Sequence, residues 1–276
     1  MKGMKNSERW AGMIAIVTES LSCMTRKDQE SLNVVPVLLE CVIDGESYPD
    51  YFVTEESAVK PGSHSLPPSA SAYRSVFAKL LEEGYEVLCI TISKKISSSY
   101  DNAIQAKNYL DSDKICVVNS NSVAGGLFLL AKRGYEEAQK GKSLSEVAAC
   151  VNAYKKQLCV SFSMNEIVII RSQRRISSNK HVGQPIMNQK PVLTIVDGSI
   201  MQMDACAPGY KEIKSLLSVL IDPKNIVVHY AVKTNMVKEM ISMLRERYVN
   251  AVIYERVITM ALKVNLGSDI VGIIGD

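Results

Sequence analysis

A chain of 276 residues, 47% hydrophobic and 22% charged, has the composition of a folded globular protein and the length for two domains. Its 32 basic and 29 acidic residues are interspersed without a basic block, which excludes a nucleic-acid footprint. The seven cysteines are odd in number and never spaced C-x-x-C, which excludes a zinc ribbon and a fully paired disulfide framework. No metal or cofactor is expected, and the thiols are read as reduced in a cytoplasmic protein.

In chain order, Lys2, Lys5 and Arg9 precede an apolar run at 11–17. The run is too short for a signal peptide core and reads as a first strand at 13–17. Nothing later approaches the ~20 apolar residues of a membrane span, so no stable membrane insertion is expected. Further strands are predicted at 34–42, 87–92 and 115–118, with helices at 70–81, 99–110, 123–139 and 144–158. Tyr73, Phe77 and Leu80, for example, fall on one helical face. Apolar strands alternating with helices predict a Rossmann-like parallel sheet. The order then changes. Strands at 167–170 and 192–196 flank a polar segment, Asp197-Gly198 marks a turn into a strand at 199–203, and helices at 210–220 and 235–247 alternate with strands at 226–230, 251–254 and 270–274. The expected fold is therefore α/β with two domains, a parallel-sheet domain at 1–160 and a mixed-sheet α/β domain at 161–276.

Gly141-Lys142-Ser143 resembles the end of a phosphate-binding P-loop, but Gly134 lies too far upstream for G-x-x-x-x-G-K-[ST] and no strand leads in. Gly141 instead suits a helix end, and Ser143 with Glu146 forms a capping-box signature. The more informative segment runs from Ile90 to Tyr100, where an apolar strand gives way to Ser97-Ser98-Ser99 and then a helix. Free N–H groups, the helix dipole and three hydroxyls suit a carboxylate or phosphate, and ordinary serine capping explains the same residues. A second loop, from Lys60 to Ser69, holds three prolines and three serines and is read as a surface turn outside any sheet, with Ser65 able to reach the same ligand group.

These segments resemble, in order, the motifs of the DegV-like family of fatty-acid-binding proteins. Thr18-Glu19-Ser20 is similar to its T-D-S turn, Ser65-Leu66-Pro67-Pro68-Ser69 to its T-S-Q-P-S loop, and the stretch from Ile92 to Tyr100 to its I-S-S-x-L-S-G-T-Y turn. Val34-Val35-Pro36 with Tyr48 and Asp50, Val118-Asn119-Ser120, Arg175-Ile176-Ser177, Lys190-Pro191-Val192-Leu193 with Asp197-Gly198, and Asn265-Leu266-Gly267 extend the likeness over nearly the full length. The resemblance implies a long-chain fatty acid held in a tunnel between the domains, its carboxylate bound by Ser65 and Ser97, with Ser98 and Asn265 as further ligand-binding candidates. It also implies a fatty acid kinase as a possible partner, to which the lipid is presented.

Two departures stand out: Asn265 replaces the family's histidine, and the stretch from Met203 to Tyr210 lacks its arginine. A head-group site with less positive charge, and a poor acceptor for kinase-coupled phosphorylation, follow from the resemblance. The twelve methionines offer flexible apolar surface for a tunnel, although Met236, Met240 and Met243 have the helical spacing of core residues. The competing readings are a serine-dependent hydrolase, which would need His64 close to Ser97, and a sensor that changes shape when its cleft fills. No G-x-S-x-G or H-E-x-x-H motif supports an enzyme.

Overall fold

The computed structural model describes residues 13–50, 62–165 and 188–276. Its first half runs β1 (Ile14–Glu19), α1 (Arg26–Ser31), β2 (Val34–Val37), β3 (Glu40–Ile43), β4 (Glu46–Pro49), β5 (His64–Leu66) and α2 (Ala70–Glu82). It continues through β6 (Glu86–Thr91), α3 (Ser99–Leu110), β7 (Ile115–Asn119), α4 (Gly125–Ala138) and α5 (Leu144–Tyr154). The second half comprises β8 (Cys159–Ser163), β9 (Lys190–Val196), β10 (Ser199–Cys206), α6 (Tyr210–Leu217) and β11 (Asn225–Tyr230). It ends with α7 (Asn235–Arg247), β12 (Val252–Val257), α8 (Met260–Leu266) and β13 (Val271–Gly275).

The short apolar runs of the first half are sheet strands buried on both faces, as a covered parallel sheet requires. They pair in the order β2-β1-β6-β7, all parallel. Alternate residues go to opposite layers. Ala15, Val17, Val87 and Cys89 meet Tyr73 and Phe77 of α2 with Ala103 of α3, whereas Ile16, Leu88 and Ile90 share a core with α4 and α5. Local chemistry fixes the helix starts: Ser69 accepts the Ala72 N–H to cap α2, and Ser143 and Glu146 close the predicted capping box on α5.

The second half builds a mixed sheet in the order β10-β9-β8-β13-β11-β12, antiparallel except for the β11–β12 pair. Ile226 and Val228 face α6 and α7, while Val227 faces the first half and joins the same core as Ile16 and Leu127. The two sheets therefore share one apolar core across their junction. Polar ties cross it too. Gly125 N–H donates to His229 Nε2 at 2.9 Å, Ser93 Oγ donates to the Gly198 carbonyl at 2.7 Å, and Arg256 pairs with Asp28 at 3.0 Å while lying over the Phe128 and Tyr254 rings.

Several expectations need correction. The strand expected at 34–42 is two strands in different sheets: the chain leaves the parallel sheet after Val37 and resumes at Glu40 in an antiparallel sheet ordered β4-β3-β5. Both pieces are apolar, so periodicity hides the switch. The loop read as unable to join a sheet supplies β5, whose Ser65 lies opposite Cys41; the prolines stand outside the three paired residues, where a missing N–H costs no ladder bond. The helix expected to reach 158 ends at Tyr154 in a 3-10 turn, Lys155–Gln157. Strand β8 and helices α1 and α8 are too short to give a periodic signal. The strand expected at 167–170, with Arg175-Ile176-Ser177 and His181, lies outside the described residues.

The junction tolerates no side chain at Gly125, where a Cβ would sit 2.7 Å from His229 Nε2 and 2.8 Å from Val227 Cβ. Gly125→Ala is expected to destabilise the protein by about 1–3 kcal/mol through overpacking, read as a lower midpoint in urea unfolding. An unchanged midpoint would show that the halves separate there without cost.

Candidate functional site

An apolar cleft lies where the carboxyl ends of the parallel strands meet the inward face of the mixed sheet, the place where open α/β sheets put their ligands. It encloses about 900 Å³ of space between atoms, part of it open to solvent. Ile195, Ile200, Phe162, Ile258 and Ile274 form much of its wall, and no described residue lining it carries a charged side chain. Its polar lining groups are few, Ser65, Ser97, Ser161, His229 and Asn265, and of these Ser65 and Asn265 are hydrogen-bonded to each other. Ser98, the remaining candidate, is exposed at the N-cap of α3, makes no capping bond, and does not line the cleft.

Asn265 reaches the cleft because α8 is anchored from the other half of the chain. The buried Asp50 carboxylate accepts the Ala261 N–H at 2.8 Å near the start of α8 and the Ser20 hydroxyl at 2.7 Å; Ser20 Oγ in turn accepts the Leu39 N–H at 3.2 Å. Burial is the largest influence on Asp50 and raises its pKa, opposed by these hydrogen bonds. From α8, Asn265 Nδ2 donates to the Ala261 carbonyl at 2.5 Å and to Ser65 Oγ at 2.6 Å. A carbonyl can only accept, so Ala261 fixes which way the amide points. Ser65 Oγ has thus accepted a bond from within the protein, leaving its own O–H for a ligand. Asn265 Oδ1 is buried without a hydrogen-bond partner.

Ser97 belongs to a different network. Its Oγ accepts the Ser99 N–H at 3.3 Å and lies 3.0 Å from Ser99 Oγ, and Ser99 Oγ lies 3.2 Å from Glu19 Oε2. The other Glu19 oxygen accepts the Ile92 N–H at 3.0 Å. Glu19 is fully buried, and desolvation pushes its pKa up from 4.5 to about 7 against the hydrogen bonds that lower it. The sequence marked Glu19 as a motif position but gave no sign of its burial or its reach to Ser99.

Among the described residues, neither His64 nor His229 forms a catalytic pair with Ser97. His64 is exposed on β5 with its Nδ1 against the Gly62 carbonyl, and the hydroxyl contact of Ser97 is with Ser99. His229 lines the cleft, but its Nε2 accepts from Gly125 and burial drops its pKa to about 3, so it is neutral. The methionines are absent from the described lining: Met240 is buried against α6 and the mixed sheet, with Met236 and Met243 packed beside it. Branched aliphatic residues and Phe162 supply the wall instead. Among the described residues there is no cluster of ligands able to hold a metal ion, and no helix is long and apolar enough to cross a membrane.

The model of the DegV family, described as uncharacterised proteins, matches residues 13–275. A DegV domain-containing protein of Staphylococcus aureus is 26% identical over 191 residues, covering 67% of this chain and 68% of the relative. One from Clostridium acetobutylicum is 24% identical over 220 residues, covering 76% and 77%. Among solved structures, a DegV family protein from Thermus thermophilus, reported for fatty acid binding, superimposes with a TM-score of 0.85 at 21% identity, covering 95% of this chain and 99% of that one. DegV of Bacillus subtilis, a fatty acid binding protein, gives 0.85 at 19% with 96% and 99% covered. A stearic acid-binding protein from Eubacterium ventriosum gives 0.83 at 22% with 95% and 98%. At these identities the structural likeness establishes the fold.

The raised pKa of Glu19 has a sign. Its unfolded value is near 4.5 and its folded value about 7, so its contribution to stability is fully present below pH 4.5 and is lost as pH rises to about 7. Glu19→Gln keeps an oxygen for Ile92 N–H and removes the charge. Between pH 4.5 and pH 8 the stability difference is expected to move in the variant's favour by roughly 2–3 kcal/mol in urea unfolding. A difference independent of pH would mean that Glu19 titrates normally.

Proposed function

The chain belongs to the DegV family, and on that premise we propose that it binds one long-chain fatty acid in the cleft, carboxylate at the Ser65–Ser97–Asn265 end and acyl chain along the aliphatic wall. The observation that carries this reading is the composition of the cleft: an uncharged, largely aliphatic wall with few polar side chains, among them the hydrogen-bonded pair Ser65 and Asn265 and the hydroxyl of Ser97. An amphiphile with a small polar head and a long apolar tail matches it. Each buried CH₂ contributes about 0.8 kcal/mol before ordering costs, so a dozen methylenes outweigh an incomplete head-group contact. The solved relatives reported to bind fatty acids support the ligand class. The reading treats 1–160 and 161–276 as two domains with the lipid between them, and the protein as a cytoplasmic carrier in lipid transport or fatty acid metabolism rather than an enzyme.

Protein purified from a bacterial host should carry a fatty acid mass in native mass spectrometry that disappears after organic extraction. Ser97→Ala should weaken rebinding of palmitate about tenfold to a hundredfold, as expected for a charge-assisted hydrogen bond. Extraction that releases no lipid, followed by no rebinding, would reject the ligand.

A fatty acid kinase as partner is the finer form of the same reading. Phosphorylating the carboxylate adds negative charge at a site whose described lining has no cation, and Asn265 cannot become cationic. With a kinase of this family and lipid-loaded protein, Asn265→His is expected to raise acyl phosphate formation several-fold over wild type. Wild-type turnover that the substitution does not increase would show that the missing charge does not limit the transfer.

A further inference from the structure

Resting on the fatty-acid reading, we propose that Glu19 is a positioning residue whose proton decides, through Ser99, whether Ser97 donates its own proton to the ligand. The three groups form a chain: Glu19 Oε2 to Ser99 Oγ at 3.2 Å, and Ser99 Oγ to Ser97 Oγ at 3.0 Å. Only Ser97 of the three lines the cleft. Each hydroxyl has one proton to give, which makes the chain directional.

With Glu19 ionised, its oxygen can only accept, so Ser99 spends its proton on Glu19 and the contact with Ser97 must be donated by Ser97. Ser97 Oγ also accepts the Ser99 N–H. Its proton is committed inward, and it can serve a carboxylate only by giving up Ser99. With Glu19 protonated the chain reverses: Glu19 O–H donates to Ser99 Oγ, Ser99 O–H donates to Ser97 Oγ, and Ser97 O–H is free to point into the cleft. A carboxylate, which only accepts, therefore prefers the protonated form, and binding draws a proton onto Glu19 by linkage. Ser65 is exempt, because Asn265 fills its acceptor side whatever the pH.

The surroundings permit the switch. The titratable groups facing Glu19 are the Tyr73 hydroxyl from α2 and the Cys89 thiol from β6, both held neutral by burial. β2 sets Val37 beside Glu19, α3 contributes Ser99, and no described residue forms an ion pair with Glu19. Its titration near neutrality is thus set by burial and hydrogen bonds. The isostere is informative here: in Glu19→Gln the amide oxygen can take the Ile92 N–H while the amide nitrogen donates to Ser99, locking the chain in the outward direction.

The test is palmitate affinity between pH 6 and pH 9 for wild type, Glu19→Gln and Ser99→Ala, as ratios of variant to wild type so that the titration of palmitate cancels. Both ratios are expected to rise by about tenfold or more across this range, because each variant frees Ser97 at every pH. Titration calorimetry in buffers of different ionisation heat should show wild type taking up about half a proton more than Glu19→Gln near pH 7.5, the uptake that a tenfold coupling requires. Ser99→Ala keeps Glu19 ionisable. If it retains the wild-type pH dependence while Glu19→Gln loses it, plain charge repulsion operates and the relay is wrong. Ratios flat in both variants also overturn it. Wild type that binds no palmitate at any pH overturns the fatty-acid reading as well, which separates the two failures.

Discussion

The buried carboxylate of Asp50 is the constraint from which the site follows. It collects the Ser20 hydroxyl behind β1 and the Ala261 amide near the start of α8, two groups more than two hundred residues apart in the chain. A carboxylate removed from water this way is costly unless its hydrogen bonds are made, so the three segments hold one another in place. Without that anchor nothing would bring Asn265 to Ser65, and the Ser65 hydroxyl would lose its partner. The helix itself is seven residues long and could not persist alone.

The shared core has a related logic. The inward face of the mixed sheet and the α4–α5 side of the parallel sheet contribute to one cluster, and the ties at Gly125, Ser93 and Arg256 stitch its margins. The cleft is the part of this junction that the side chains do not fill. Its walls are aliphatic groups and Phe162, with no methionine in the described lining, carried by the strands of the mixed sheet, by the segments that leave the strand ends and by α8, so its shape is set by sheet geometry together with where the strands end and where α8 is held. Gly272, which lines it on β13, leaves room where a Cβ would come within 3.1 Å of Phe162 Cβ.

Much of the fold was legible because long amphipathic helices and apolar strands leave strong periodic signals, and α2, α3, α5 and α7 begin where the pattern and caps place them. The parallel and mixed sheets followed from element order. What the sequence hid were short elements and long-range polar contacts: β5 is three residues, β8 five, and α8 carries Asn265 without any periodic mark. Ser65, Ser97 and Asn265 were named from motif order and line the same cleft, whereas Ser98 was named by adjacency and faces solvent. Glu19 was visible only as a substituted motif residue, since nothing local reveals that a carboxylate at a strand end will be buried under a tyrosine and a serine.

An anion site without a lining cation looks underpowered until the magnitudes are compared. A neutral hydrogen bond contributes about 1 kcal/mol net and one to a charged group about 1.5–3, whereas burial of an acyl chain scales with its length and reaches several times that for a dozen methylenes. Under the proposed reading, therefore, the tail supplies the affinity and the head group supplies orientation. Orientation needs donors aimed at one place, and the structure provides one whose aim is fixed, Ser65 with its acceptor filled by Asn265, and one whose aim depends on the hydroxyl behind it. Replacing a histidine by asparagine at position 265 then costs the site a switchable charge but not the bond that directs Ser65. Control over the head group passes to the nearest group that can change protonation near neutral pH, and among the described residues around Ser97 that group is the buried carboxyl of Glu19.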